Sequence, residues 1–142
     1  MKFEVFINFD GNCREAVEFY AKVFKSEIKN LMTFAQTPPD PNFSLQEADK
    51  DKVMYASVQI GDMTAMFMDM PSGVPLVKGN NISPTLSTYD KEEVRRLFNE
   101  LQVGGRVDMD LQQTFYSELY GMVTDKFGIG WQILHYETKG MS

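Results

Sequence analysis

The chain has 142 residues, of which 43% are apolar and 24% are charged, a balance typical of a folded globular protein rather than a disordered one. That length predicts one domain, since domains run to roughly 100–200 residues. Twenty acidic and fourteen basic residues give a net charge of −6. This charge argues against a nucleic-acid partner, because phosphate backbones select basic surfaces.

The chain contains one cysteine and one histidine. A single cysteine cannot form an internal disulfide, and a zinc site built from several His and Cys side chains is excluded. No apolar run approaches the roughly 20 residues that a membrane-spanning helix needs, and the first residues carry no cleavage-site pattern. We therefore expect a soluble, cytoplasmic protein with no membrane partner.

The first half of the chain predicts a strand, a helix and three further strands. Apolar residues alternate from Phe3 to Phe9, and Asn12 is a candidate N-cap for a helix whose apolar residues recur at helical spacing. Residues 37–51 contain three prolines and many polar side chains, which predicts a loop. The other strands are predicted at Ile28–Gln36, Val53–Ile60 and Met63–Met70.

The same order of elements returns in the second half. Asp90 is a candidate N-cap for a second helix, which ends at Gly104-Gly105. The apolar face of this helix is formed by Val94, Leu97, Phe98 and Leu101. Strands are predicted at Ile82–Thr88, Arg106–Leu111, Leu119–Thr124 and Ile129–Tyr136.

The two halves align as a weak repeat of a βαβββ unit. The turn glycine Gly61 matches Gly128, 67 positions later. The alignment predicts one domain over residues 1–142, made of modules 1–70 and 80–137 joined by a linker at 71–79. We expect an α+β fold in which the tandem modules form a curled mixed sheet, with helices on its convex face and a ligand pocket on its concave face.

Two segments resemble a known family. Phe9-Asp10-Gly11-Asn12-Cys13-Arg14-Glu15-Ala16-Val17-Glu18-Phe19-Tyr20 resembles the opening of the PhnB-like proteins, a branch of the vicinal oxygen chelate superfamily of glyoxalase I, bleomycin-resistance proteins and ring-cleaving dioxygenases. A second part of the chain resembles the closing signature of the same branch. It consists of Gln113-Thr114-Phe115 and Gly121-Met122-Val123-Thr124-Asp125-Lys126-Phe127-Gly128, followed by Trp131. The resemblance implies paired βαβββ modules and a homodimer. It implies no particular reaction, because the superfamily hosts several chemistries.

The metalloenzymes of this superfamily hold an ion with four side chains, one on the first and one on the last strand of each half. Carried over by the resemblance and by strand parity, these positions fall on Glu4, Ala65, Ser83 and Gln132. Only one of the four is a carboxylate and none is an imidazole, so a divalent ion would bind weakly. We therefore expect no metal and no cofactor.

Further candidates for a ligand pocket are aromatic. Strand parity places Phe6 on the same face as Glu4. Phe115, Tyr116 and Tyr120 crowd one segment, where they could form a pocket rim that stacks on a flat ligand or a dimer interface. The loop at 37–51 is another candidate for either role.

Two single residues invite a catalytic interpretation that we disfavour. Cys13 lies in the first turn of a helix, where a thiol can become reactive, but we interpret it as a small buried residue. His135 alternates with Gln132 and Leu134, so it should face away from Gln132 and serve a structural role. Met63, Met66, Met68 and Met70 form a methionine-rich strand, which we assign mainly to core packing.

The sequence favours a metal-independent small-molecule-binding protein that holds an apolar or aromatic ligand, with no assigned catalytic residue. One alternative is a metal-assisted lyase, isomerase or dioxygenase with a divergent site, or an enzyme that uses Glu4 as a base. The other is a dimeric interaction module without a ligand.

Overall fold

The structure is a computed structural model that describes residues 1–136. It divides into two compact units, Met1–Val77 and the part of the chain from Lys78 onward. The boundary between the units falls within the segment 71–79 that the sequence predicts as a linker. Residue 137, the predicted end of the second module, lies outside the described residues.

Each unit runs in the order strand, helix and three strands. The first unit contains β1 (Val5–Phe9), α1 (Cys13–Val23), β2 (Ile28–Thr33), β3 (Val53–Ile60) and β4 (Met63–Asp69). The second contains β5 (Thr85–Thr88), α2 (Lys91–Leu101), β6 (Arg106–Gln112), β7 (Tyr120–Thr124) and β8 (Gly130–His135). Neither α1 nor α2, nor any other helix within residues 1–136, is long and apolar enough to cross a membrane.

Each unit has its own four-stranded mixed sheet. The strand orders are β1-β4-β3-β2 and β5-β8-β7-β6. The first strand of each unit pairs in parallel with the last, and the other neighbours are antiparallel. The predicted α+β class and the repeated βαβββ order are confirmed.

One face of each sheet is covered by the helix of its unit. In the first unit, the ring of Tyr20 on α1 stacks on Phe67 of β4 with their centroids 5.6 Å apart. In the second, the predicted apolar face of α2 is confirmed, because its four residues are buried. We call the opposite side of each sheet its helix-free face. On the first it carries Phe6, Asn8, Ser57, Met66 and Met68, and on the second Thr85, Ser87, Tyr120, Met122, Gln132 and Leu134.

Strand register corrects the internal alignment by one residue. Phe6 lies opposite Met66 in the first unit, and Thr85 lies opposite Gln132 in the second. Met66 is therefore the counterpart of Gln132, 66 positions before it. The alignment of Gly61 with Gly128 is wrong because these glycines lie in turns of different length. Two residues separate β3 from β4, whereas five separate β7 from β8.

The largest differences in strand length from the prediction are in β2 and β5, and both have local reasons. β5 begins at Thr85 rather than at Ile82, because Pro84 has no N–H to donate to a sheet. β2 ends at Thr33 rather than at Gln36. There the side chain of Gln36 accepts a hydrogen bond from the backbone N–H of Thr33 at 2.9 Å, and residues 34–36 turn into a 3₁₀ helix.

A buried carboxylate of β4 holds the start of α1. Asn12 occupies the N-cap position of the helix, but its side chain makes no capping hydrogen bond. Asp69 Oδ1 instead accepts hydrogen bonds from the backbone N–H groups of Gly11 (2.8 Å) and Cys13 (3.0 Å). Asp69 Oδ2 accepts another from Val53 (3.0 Å). Donors at a helix start that lack an intrahelical partner are thus satisfied by another element.

The predicted loop at 37–51 carries structure of its own. The ring of Phe43 stacks on Phe34 with their centroids 6.0 Å apart. Asp49 ends a short 3₁₀ helix and is buried. Its carboxylate accepts hydrogen bonds from the backbone N–H (2.9 Å) and the hydroxyl (2.7 Å) of Ser72, and it pairs with the ammonium of Lys52 at 2.9 Å. These contacts fix the end of the loop to the segment that follows β4.

Candidate functional site

The helix-free face of the second unit carries a polar pair that links two strands. Along β8 buried and part-exposed residues alternate, so Trp131 and Ile133 face α2 while Gln132 faces away from it. Tyr120 of β7 lies on the same side as Gln132. The Tyr120 hydroxyl donates a hydrogen bond to Gln132 Oε1 at 2.5 Å. This bond fixes the orientation of both side chains.

An aromatic series extends from this pair into the segment before β7. The ring of Tyr116 meets Tyr120 edge-to-face at 5.7 Å between centroids, and Phe115 meets Tyr116 in the same way at 4.9 Å. Exposure rises along the series from 7% at Tyr120 through 44% at Tyr116 to 98% at Phe115. The three rings thus lead from a buried hydroxyl out to solvent.

A tight turn anchors the aromatic segment. The backbone N–H of Thr114 donates to the carbonyl of Ser117 at 2.8 Å, and the Thr114 hydroxyl accepts from the Ser117 N–H at 3.1 Å. The buried Ser117 hydroxyl donates to the backbone carbonyl of His135 at 2.8 Å. Because the turn is tied to β8 in this way, Phe115 and Tyr116 are held beside Tyr120.

The hydroxyl of Tyr120 stays protonated at neutral pH. Burial raises its pKa above the ordinary value of 10, and the neighbouring Tyr116 raises it further through its charge and a hydrogen bond. A protonated hydroxyl keeps donating to Gln132. The pair is therefore a fixed arrangement of neutral groups rather than an acid–base couple.

In the first unit, the predicted pocket residues Phe6 and Glu4 are not joined by a hydrogen bond as Tyr120 and Gln132 are in the second. Phe6 lies on the helix-free face with 44% of its surface exposed, and its ring meets Tyr55 edge-to-face at 6.3 Å. Glu4 precedes β1 and pairs with the ammonium of Lys2 at 3.4 Å. Its side chain is part-exposed, so this pair adds little to the stability of the fold.

Two of the residues carried over by the resemblance need separate comment. Ala65 does not lie on the helix-free face, so the expectation that it lines a pocket is wrong. It is buried two residues before Phe67, on the side that packs against α1, and Met66 takes the helix-free position. Ser83 lies just before β5, and its backbone carbonyl accepts a hydrogen bond from the hydroxyl of Thr85 at 3.1 Å.

The side chains at the four positions do not fit a divalent metal ion. Corrected by the register, they are Glu4 and Met66 in the first unit and Ser83 and Gln132 in the second. A thioether is a soft donor that hard cations avoid, and the amide oxygen of Gln132 already accepts from Tyr120. Within residues 1–136, no three His, Cys, Asp or Glu side chains come together as a metal site would require.

Neither Cys13 nor His135 lies on a helix-free face. Cys13 is fully buried at the start of α1. His135 is buried on the α2 side of β8, as its alternation with Gln132 predicts, and its Nε2 lies 2.9 Å from the backbone carbonyl of Tyr89. The hydrogen bond requires Nε2 to be the protonated nitrogen, because a carbonyl only accepts. Within the second unit, His135 thus lies on the opposite side of the sheet from Tyr120 and Gln132.

The closing signature of the sequence has a structural explanation. Asp125 in the turn before β8 is buried, and its Oδ1 accepts hydrogen bonds from the N–H groups of Phe127 (2.9 Å) and Ile129 (3.0 Å). Its Oδ2 accepts from the indole N–H of Trp131 at 2.8 Å. The carboxylate shapes the turn and orients the indole beneath α2. These residues therefore set the register of β8, which places Gln132.

Comparison with known proteins identifies the family. The family model described as 3-demethylubiquinone-9 3-methyltransferase matches residues 1–134. The chain belongs to this family. It is a PhnB-like protein of the vicinal oxygen chelate superfamily.

Individual PhnB-like relatives match over nearly the whole chain. Protein YjdN of Escherichia coli is 29% identical, with 94% of each chain covered. The crystal structure of PA1353 from Pseudomonas aeruginosa is 31% identical with a TM-score of 0.86, covering 96% of this chain and 98% of that one. A Bacillus cereus structure described as a putative 3-demethylubiquinone-9 3-methyltransferase, PhnB protein, is 24% identical with a TM-score of 0.77, covering 95% of this chain and 99% of that one.

The fold is also found in a solved structure of much lower sequence identity. A glyoxylase/bleomycin resistance protein/dioxygenase domain from Frankia sp. EAN1pec superposes with a TM-score of 0.68 at 9% identity, covering 99% of this chain and 94% of that domain. At that identity the likeness concerns the fold alone. The glyoxalase/bleomycin-resistance-like architecture expected from the sequence is confirmed.

Proposed function

We propose that this PhnB-like protein binds a small apolar or aromatic molecule on the helix-free face of its second unit, without a metal ion. The observation that carries the proposal is the series Phe115, Tyr116 and Tyr120, which ends on Gln132. Rigid rings of increasing exposure offer large contact area at low conformational cost. The fixed amide at the buried end supplies a polar contact that orients a ligand.

The side chains at the four metal-ligand positions support binding without a metal ion. With a thioether at Met66 and an engaged amide at Gln132, the positions where superfamily metalloenzymes hold an ion lack the hard anionic donors that a divalent cation needs. Lewis-acid catalysis of the glyoxalase or dioxygenase type would rest on such donors. Binding, in contrast, needs only the aromatic series and its polar end.

The methyltransferase activity in the description of the family is not part of this proposal. The sequence has no glycine-rich strand-to-helix turn of the kind that holds a nucleotide-like cofactor. In the first unit, the N–H groups at the start of α1 that could receive an anionic group are already engaged by Asp69.

A thermal-shift screen of flat aromatic compounds tests the proposal. A ligand that binds the folded state raises the unfolding midpoint, by several degrees when its concentration reaches about a hundred times Kd. We expect such compounds to stabilise the wild-type protein and to stabilise Y116A much less, because the central ring of the series is lost.

The matched control is an exposed phenylalanine outside the series. Phe3 is 84% exposed, comparable with Phe115, so F3A should respond to the compounds like the wild type while F115A responds less. Equal stabilisation of the wild type, Y116A and F115A by every active compound would remove the aromatic series from the binding site.

We also propose that the protein is a homodimer, as the resemblance implies. The apolar side chains of Val77 and Ile82 are more than four-fifths exposed, which supports a contact with a second chain. Light scattering coupled to size-exclusion chromatography measures the mass directly. A mass near 16.3 kDa at all concentrations would contradict the dimer.

A further inference from the structure

The side-chain amide of Gln132 is held with its nitrogen outward. Its oxygen accepts the hydrogen bond of the Tyr120 hydroxyl, which leaves Nε2 as the end of the amide that does not contact Tyr120. The Gln132 Nε2 group has no hydrogen-bond partner within residues 1–136. Among the buried side-chain nitrogen and oxygen atoms of that part of the chain, only His135 Nδ1 lacks a partner, so Gln132 Nε2 reaches the surface.

A second donor lies further along the same face. The Ser87 hydroxyl donates to the Tyr136 hydroxyl at 3.0 Å, which leaves the proton of Tyr136 available to another acceptor. Tyr136 follows Gln132 by four residues on the extended chain, about 13 Å away along the strand direction. Leu134 lies between them on the same face. The strand thus presents a donor, an apolar side chain and a donor.

From this arrangement we infer the chemical class of the ligand: a flat ring that carries a carbonyl or carboxylate oxygen. That oxygen accepts a hydrogen bond from the side-chain N–H groups of Gln132. The inference rests on the proposed binding function and narrows it. Tyr116 and Phe115 contact the ring, and Gln132 selects the oxygen. Tyr120 is a positioning residue, because it acts on the ligand only through the orientation of the amide.

Three naphthalene probes test the inference by isothermal titration calorimetry. 2-Acetylnaphthalene and 2-isopropylnaphthalene have nearly the same shape and differ in the acceptor oxygen, and 2-naphthoate carries the oxygen as an anion. We expect the wild-type protein to bind the ketone about fivefold more tightly than the hydrocarbon, the effect of one neutral hydrogen bond. Of the two oxygen-bearing probes, the tighter one shows whether the natural acceptor is a carbonyl or a carboxylate.

Two variants assign that preference to the amide. Q132E keeps an oxygen for Tyr120 but removes the N–H donors, so we expect it to bind the hydrocarbon as before and to lose the preference for the ketone. Y120F frees the amide to rotate, and we expect it to lose part of the preference. Q102E places the same charge at the C-cap of α2, the helix that covers the opposite face of the sheet, and should keep the preference.

The outcomes separate the inference from the proposed function. Equal affinity of the wild type for ketone and hydrocarbon overturns the inference while leaving binding intact. A ketone preference that survives in Q132E overturns it as well, because another group then holds the oxygen. Failure of all three probes to bind overturns the inference together with the proposed function.

Discussion

Cys13 shows how burial cancels the reactivity that a helix start can confer on a thiol. Burial and, second, the charge of Asp69 together raise the pKa of the Cys13 thiol to about 12, against a partial lowering by Arg14. The helix dipole would act in the opposite direction, but it competes here with complete removal of the side chain from water. At neutral pH the residue is a neutral, packed thiol.

We therefore expect Cys13 to resist thiol reagents in the native protein. At pH 8 a thiol with this pKa should react about a thousandfold more slowly than an unfolded cysteine of pKa about 8.5. Colour release from Ellman's reagent, with and without denaturant, measures the ratio. Rapid stoichiometric labelling of the native protein would restore the reactive interpretation of this residue.

The carboxyl of Asp49 links the stability of the fold to acid pH. Its hydrogen bond from the Ser72 hydroxyl, followed by that from Lys52, lowers the pKa of Asp49 to about 2 from the ordinary 3.8. A carboxyl whose pKa is lower in the folded state stabilises the fold at any pH above the unfolded value. That contribution is lost as the pH falls from about 4 to about 2.

D49N should remove this part of the acid dependence. We expect the urea midpoint of the wild type to fall more steeply than that of D49N between about pH 4 and pH 2, because the amide does not titrate. D51N, which changes an exposed neighbour, should follow the wild type. Parallel wild-type and D49N curves through this range would show that Asp49 does not carry the effect.

At the level of elements, the two helices begin by different means. Asp90 precedes α2 and accepts a hydrogen bond from the backbone N–H of Glu92 at 3.0 Å, so this helix is capped by its own sequence. The start of α1 is held by Asp69, at the end of β4. Strand register makes His135 the counterpart of Asp69 in the second unit, where the helix needs no borrowed carboxylate.

Removing the two N-cap side chains should therefore have unequal effects. We expect D90A to lower the free energy of unfolding by about 1 kcal/mol, the usual cost of a lost cap. N12A should lower it by less than about 0.5 kcal/mol, because the Asn12 side chain makes no capping bond. Urea denaturation followed by circular dichroism measures both, and equal losses would contradict the assignment.

The elements that sequence predicts well are those whose signals are local. The bounds of β3 and the apolar face of α2 follow directly from residue periodicity. The role of Asp69 could not be predicted, because its partners lie up to 58 positions away in the chain. The position of Ala65 was missed because one turn differs in length between the units, and a shift of one residue reverses the face of a strand.

The candidate site follows the same rule: the sequence predicts which residues belong to it, but not how they are oriented. The family resemblance indicates Gln132, aromatic crowding indicates Tyr116 and Tyr120, and the structure brings the three residues together. Their mutual orientation depends on the turn at Thr114–Ser117 and its bond to β8, which no local pattern indicates. The donor pair of Ser87 and Tyr136 was missed, because it joins residues of two strands that are distant in sequence.

For the whole molecule, the side chains at the four metal-ligand positions predict that divalent cations do not change its thermal stability. We expect millimolar Mg²⁺, Mn²⁺ or Zn²⁺, compared with a chelator, to leave the thermal midpoint unchanged, since binding to the folded state alone would raise it. Elemental analysis of the purified protein should find no stoichiometric metal. A tightly held ion with a midpoint raised by several degrees would instead support the metal-assisted alternative.

The buried carboxylate of Asp69 also has a kinetic consequence. Its two oxygens join the loop before α1, the first turn of that helix and the first residue of β3. Opening any one of these segments leaves a desolvated anion with fewer donors, so the three should open together. In deuterium-exchange experiments, the amide protons of Gly11, Cys13 and Val53 should exchange in concert, as one cooperative unit assembled from distant parts of the chain.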